Sequence, residues 1–321
     1  MSVIHRFSGP VADRARNVFS NVRIVCGQTD EQIVSGLQPP IHPKTFSRVL
    51  ITEQSISADQ LRATAGFAAE QIGTSPDRIL GYMRRPQDPA YQQVHELATA
   101  EIFRPTLKDL TRLRYRLRAI EDRTRAIRVM HRCLPSPFLT AAMVRQVICR
   151  GWPTWTARLL SAWTHQHRRR IDQLNNRYTV ECCLLDSTLR KLGEGTGAFA
   201  GCTAEDVADQ IEHLLYTCIE LLGVRIAVVD DQDRAVRRIL DHDWASYQAI
   251  ILFDDNASFR RDRKGNRFLY DAAARSDASR IVEQDVANYE RIAYRAPDPI
   301  GRQTFLNLAD ENAIFAAGVP P

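Results

Sequence analysis

Most of the signals that announce a membrane, a metal or a catalytic site are absent from this chain. No apolar run approaches the length of a bilayer span, and the opening MSVIHRFSGP lacks the apolar core of a secretory leader, so the expected location is the cytoplasm. The seven cysteines, Cys26, Cys133, Cys149, Cys182, Cys183, Cys202 and Cys218, form no C-x-x-C pair and repeat no spacing; they read as reduced core residues rather than zinc ligands. The glycines of EGTGAFAG, residues 194–201, come without G-x-G-x-x-G and without a Walker lysine, which argues against a phosphate loop. No G-x-S-x-G elbow or H-E-x-x-H zinc motif appears. No catalytic residue, metal or cofactor is expected.

What is present fits a soluble chain of two domains: 321 residues, 44% hydrophobic and 25% charged. The formal net charge is only +5, but it is unevenly spread. Arg112, Arg114, Arg116, Arg118, Arg123, Arg125 and Arg128 crowd one segment, and Arg168, Arg169 and Arg170 form a second cluster. Local positive surface of this kind attracts phosphate backbones or acidic ligands; for the second cluster a solvated helix face is an equal reading.

The most informative stretch runs from Gly66 to Ala100. Ala69, Ile72 and Ile79 are spaced to bury one side of two short helices, and Gly73 permits the left-handed backbone that a tight turn between them needs. Ser75 is placed to N-cap the second helix, and Pro76 falls at its first position, where a missing donor costs nothing. Asp77, Arg78, Tyr82, Arg84 and Arg85 are left off the apolar side, as a helix lying in a major groove requires. The run Ala69-x-x-Ile72-Gly73-x-Ser75-Pro76-x-x-Ile79, followed by Arg84, Arg85, Pro86 and QQVHELATA, resembles the helix-turn-helix of the Cro and phage-repressor (xenobiotic-response-element) class. The resemblance covers about forty residues and implies contacts to double-stranded DNA through Ser75, Asp77, Arg78, Tyr82, Arg84 and Arg85. A rival register, Ser57-x-x-x-Leu61-x-x-x-Ala65-Gly66-Phe67, has similar spacing, but its recognition helix would run into Gly73 and Pro76.

Around this module, residues 1–55 read as an arm of unassigned role, with a short helix over Val11–Phe19, a short strand over Val22–Val25 and a turn-rich connector over Gly36–Pro43. Residues 56–104 are the helix-turn-helix domain, and 105–130 a linker helix whose stripe Leu107, Leu110, Leu113, Leu117, Ile120 and Ile127 serves as internal core or as a dimer contact. Residues 131–321 form a second domain. Its signals are Trp152, Trp155 and Trp163, a strand over Tyr178–Leu185, helices over Ser187–Leu192, Ala204–Leu222 and Ile281–Tyr294, the strand VRIAVVD, and strands over Ala249–Phe253 and Phe268–Tyr270 flanking a charged loop with Arg260, Arg261, Arg263, Lys264 and Gly265. The fold class is α+β, with a mostly helical N-terminal half and a small mixed or antiparallel sheet.

This second half is similar to the C-terminal domain found behind helix-turn-helix modules in antitoxin-like regulators. The matching pieces are Ile127-Arg128 through Leu134-Pro135 and the helix after it, Arg169 to Gly193 with the run LLDSTLRKLGEG, VRIAVVD, AIILFD and DVANYERIAYRA. It departs from the family's pattern at Asp271, where a glutamate usually follows the tyrosine, and in the long insert 256–266. The resemblance implies a homodimeric regulator whose second domain senses a small-molecule ligand or binds a small partner protein. An antitoxin-like adaptor is the alternative. A metal-dependent nuclease would draw on Asp230, Asp231, Asp233, Asp241, His242 and Asp243, but these sit between two strands, where acidic turn residues are common, and His165 and His167 point to different helix faces.

Overall fold

Gly9 and Gly27, both with left-handed backbone, bracket the first long helix. The computed structural model describes residues 6–7, 9–37, 42, 56–135, 138–147, 179–221 and 223–295. The short strand β1 (Arg6–Phe7) precedes α1 (Pro10–Cys26), which opens with Pro10 at its first turn, where the lost N–H is unneeded. Val22 to Val25 are part of this helix, not a strand; β-branched residues were outvoted by the packing of Val18, Phe19 and Val22 on one face. After α2 (Asp30–Ser35), with its Thr29 and Gln32 capping box, β2 (Ile56–Ser57) pairs antiparallel with β1. Then follow α3 (Ala58–Ile72), α4 (Pro76–Arg84), a single 3-10 turn (Pro89–Tyr91), α5 (Gln92–Thr99), β3 (Glu101–Phe103) and α6 (Leu107–Glu121).

The chain divides into two units, Met1–Arg114 with Lys264–Ile281, and Tyr115–Arg263 with Val282–Pro321. This differs from the boundaries read from composition, because residues 264–281 join the N-terminal unit. In that unit α1, α3, α4 and α5 share one core: Ala12, Ala15, Val18, Phe19 and Val22 meet Leu61, Ala65, Ala68, Ala69, Ile79, Tyr82, Met83, Val94 and Ala98. Alanines on α1 and α3 let the helix backbones approach closely, and each buried Val, Leu or Ile contributes roughly 1.5–3 kcal/mol. The segment read as an N-terminal arm therefore supplies one wall of the core of α3, α4 and α5 through α1.

The second unit is built on β4 (Ala126–His131), α7 (Ala141–Val147), β5 (Thr179–Leu185), α8 (Asp186–Gly193), α9 (Ala204–Glu220), β6 (Val224–Val229), α10 (Arg234–Arg238), β7 (Tyr247–Phe253) and β8 (Ala257–Asp262). Of the seven strands of the mixed sheet, five lie here in the order β8-β7-β4-β5-β6, with β4, β5 and β6 parallel and β7 and β8 antiparallel to their neighbours. The other two, β3 and β9 (Arg267–Asp271), pair antiparallel in the first unit. The last described helix is α11 (Ser279–Ala293). The α+β class and the helical N-terminal half hold.

Two further elements depart from expectation. Ile127 sits on β4 rather than on the linker helix, because α6 stops at Glu121 and Asp254 Oδ1 accepts the Ala126 N–H at 2.8 Å to start the strand. The charged loop is shorter than expected, since Arg260 and Arg261 lie on β8 while Arg263, Lys264 and Gly265 stay in the turn; on β8, Arg260 is 1% exposed and makes a two-armed pair with Asp285 of α11, Nε to Oδ2 and Nη2 to Oδ1 both at 2.9 Å. Trp244 Nε1 and Ser258 Oγ also donate to Asp285, and the Arg260 guanidinium lies 4.9 Å from the Tyr247 ring centroid. Among the stripe residues of α6, Leu113 and Ile120 are buried within the chain, whereas Leu107 is exposed. Trp152, Trp155, Trp163, His165, His167, Arg168, Arg169, Arg170 and Cys149, with most of the 36–43 connector, fall outside the described residues.

Candidate nucleic-acid interface

Ser57 and Gln60 close a capping box that starts α3, and the helix then runs unbroken through Gly66 to Ile72. That continuity removes the rival register, whose turn would have to fall at Gly66. Gly73 ends α3 in the left-handed region, φ 66° and ψ 41°, with its N–H and that of Thr74 both returning to Ala69 O. Ser75 Oγ accepts the Arg78 N–H at 3.4 Å, and Pro76 opens α4. The two helices and their turn thus form where Gly73, Ser75 and Pro76 implied.

On α4 the residues Ile79, Tyr82 and Met83 face inward. Ser75, Asp77, Arg78, Arg84 and Arg85 are exposed, and none of these arginine side chains has a carboxylate partner among the described residues. Tyr82 is a correction: at 3% exposed it belongs to the core, one turn after Ile79, its ring centroid 5.9 Å from that of His95. Burial, helped by Asp277, pushes the Tyr82 phenol up to about 12, and it is not a group α4 can offer to DNA. The spacing of Ile79, Tyr82 and Met83, i, i+3 and i+4, carried this signal.

Several bracing contacts were invisible in the sequence. Arg14 of α1 donates through Nε to Met83 O at 2.8 Å, placing a cation on the C-terminal carbonyls of α4. Gln93 Nε2 donates to Ile72 O at the end of α3, Asn21 Nδ2 to Leu97 O at the end of α5, and Arg280 Nη1 to Gln87 O in the loop after α4. Gly81 admits the Tyr91 ring, whose Cζ would stand 2.4 Å from any Cβ there. His95, beside Tyr82, is buried; burial first, then the nearby Arg280 charge, lower its pKa and favour the neutral ring.

The acidic run of the second unit is scattered among structural tasks. Asp233 N-caps α10 through the N–H groups of Ala235 and Val236, Asp231 accepts the Ser187 hydroxyl, and Asp241 sits 3.9 Å from Arg237. Among the described residues, no group of three His, Cys, Asp or Glu side chains is arranged to hold a metal, and no helix is long and apolar enough to cross a membrane. No family model matches the chain, and neither a curated protein nor a solved structure does.

Proposed function

We propose that this chain is a cytoplasmic, homodimeric, sequence-specific regulator of transcription that reads duplex DNA with α4 and uses its second unit to sense a ligand or bind a partner. The observation that carries the reading is the face of α4: three residues buried, Arg78, Arg84 and Arg85 exposed without carboxylate partners, and a left-handed Gly73 turn presenting the helix. Arg78, in the first turn, reaches base edges, where a two-armed contact to guanine is the commonest specific pairing. Arg84 and Arg85, at the far end, meet phosphates, and the free N–H groups behind Ser75 favour another.

One recognition helix reads only a few base pairs, so two copies related by a two-fold axis would read a half-site twice. With Leu113 and Ile120 occupied by the chain's own core, the α6 stripe leaves little for such a contact; light scattering should nonetheless give about twice the 36.5 kDa of one chain. The deciding experiment compares wild type with an Arg78→Ala, Arg84→Ala, Arg85→Ala variant on genomic fragments. The variant should lose preference among fragments, by about 1–3 kcal/mol for each base contact removed, and equal binding by both proteins overturns the proposal.

A further inference from the structure

In the second unit, exposed basic side chains that make no ion pair gather near the carboxyl end of β4. The strand register sets one row of residues across the sheet, Arg261, Ala249, His131, Leu184 and Val228, so Arg261 and His131 project from the same face two strands apart, about 10 Å. Arg263 follows two residues later, beyond the end of β8. Arg132 follows His131 and spends its guanidinium on carbonyls, Nε to Tyr247 O at 3.0 Å and Nη2 to Leu240 O, but keeps its charge. Thr188 Oγ1 donates to Arg132 O at 3.2 Å, tying α8 to this end of β4, and Lys191 lies one turn further, its stem 3.5 Å from the place a Cβ would take on Gly197.

Lys191, Arg261 and Arg263 are exposed and have no carboxylate partner among the described residues. Of the acids near this end of the sheet, Asp186 pairs with Arg190 at 2.7 Å, Asp231 accepts from Ser187, Asp241 faces Arg237, Asp230 accepts the Gln232 N–H and Asp262 has a partner; none is ion-paired with Lys191, Arg261 or Arg263. The fields of these cations reach inward, since Arg261 acts on both His131 and Cys133, Lys191 on Cys133 and Arg263 on Arg132. Exposed cations from two elements gathered around a third, none of them ion-paired, repel one another and become favourable once an anion covers them. In parallel sheets the carboxyl ends of strands are also where ligands gather.

We infer that Lys191, Arg261 and Arg263 form a phosphate-backbone contact on the second unit, so that nucleic-acid affinity is not confined to the helix-turn-helix. This rests on the reading of the chain as a duplex-DNA binder. The spread of the charges over exposed positions suits a polyanion, and the contact carries no sequence information of its own.

The test measures binding of the full chain to a non-specific duplex across a salt series, for wild type and for Lys191→Gln, Arg261→Gln, Arg263→Gln. Three lost phosphate contacts should flatten the slope of log K against log salt by about 2 to 3, with unchanged ranking among genomic fragments, and the corresponding triple glutamate variant should flatten it at least as far. Circular dichroism matching wild type establishes that the exposed substitutions leave the fold intact; should the glutamine set perturb it, Arg263→Gln alone, beyond the strand, should flatten the slope by about 1. A wild-type slope in these variants overturns the inference and leaves the helix-turn-helix reading standing. Absence of any duplex binding by wild type at low salt overturns both.

Discussion

Asp285 is fully buried, and the bonds that hold it there decide what its loss would do. It accepts from Arg260, Trp244 and Ser258, so Asp285→Asn leaves a buried guanidinium without its counter-charge and should destabilise the protein by about 3–5 kcal/mol. Adding Arg260→Gln removes that stranded charge and should recover part of the loss, which urea denaturation of both variants would read; a wild-type midpoint for Asp285→Asn contradicts the argument. His131 sets a pH dependence. Burial, reinforced by Arg261, lowers its pKa from 6.5 to about 4, so the unfolded chain binds the extra proton first. Its contribution to stability is complete above pH 6.5 and is lost as pH falls toward 4. The denaturation midpoint should drop over that window, less steeply in His131→Gln, and parallel curves for the two proteins would exclude the role. Neither residue was legible in the sequence. Arg260 sits in RRDRKGN, whose composition reads as solvated loop, and only the two-residue alternation on β8 with an acid 25 positions away explains its burial.

At the level of elements, the turn between α3 and α4 was legible because its signals are local: a left-handed Gly73, a capping Ser75 and a Pro76 that fits only a first turn. No atom lies within 4 Å of a Cβ at Gly73, so a substitution there meets only backbone strain. Gly73→Ala should cost roughly 1–2 kcal/mol and Gly73→Asn less, since asparagine tolerates the left-handed region, and Ser75→Ala should cost about 1 kcal/mol. Thermal unfolding checks the order, and an alanine at 73 as stable as glycine would mean the turn has another shape. Elements whose signals are not local were misread. AIRVMH continued the helical spacing of leucines before it and became β4 only through pairing with β5 and β7; Val22 to Val25 favour strand by type and are helical by packing.

For the whole molecule, composition could not show that residues 264–281 return to the N-terminal unit. Every residue of the four-helix core lies between Ala12 and Ala98, yet β3 pairs with β9 and the loop after α4 is held by Arg280. A fragment of residues 1–121 should therefore keep its helices and unfold at lower urea than the same unit in the full chain. An identical midpoint would show that the returning segment adds nothing. The same path has a temporal side. As the chain leaves the ribosome, residues 1–114 emerge first, and the piece that completes their unit follows about 170 positions later. At ordinary synthesis rates of about 5–20 residues per second that gap is roughly 10–30 s. During it the nascent helices are assembled but unfinished, and a message cut short anywhere before residue 281 yields an N-terminal unit that is never completed.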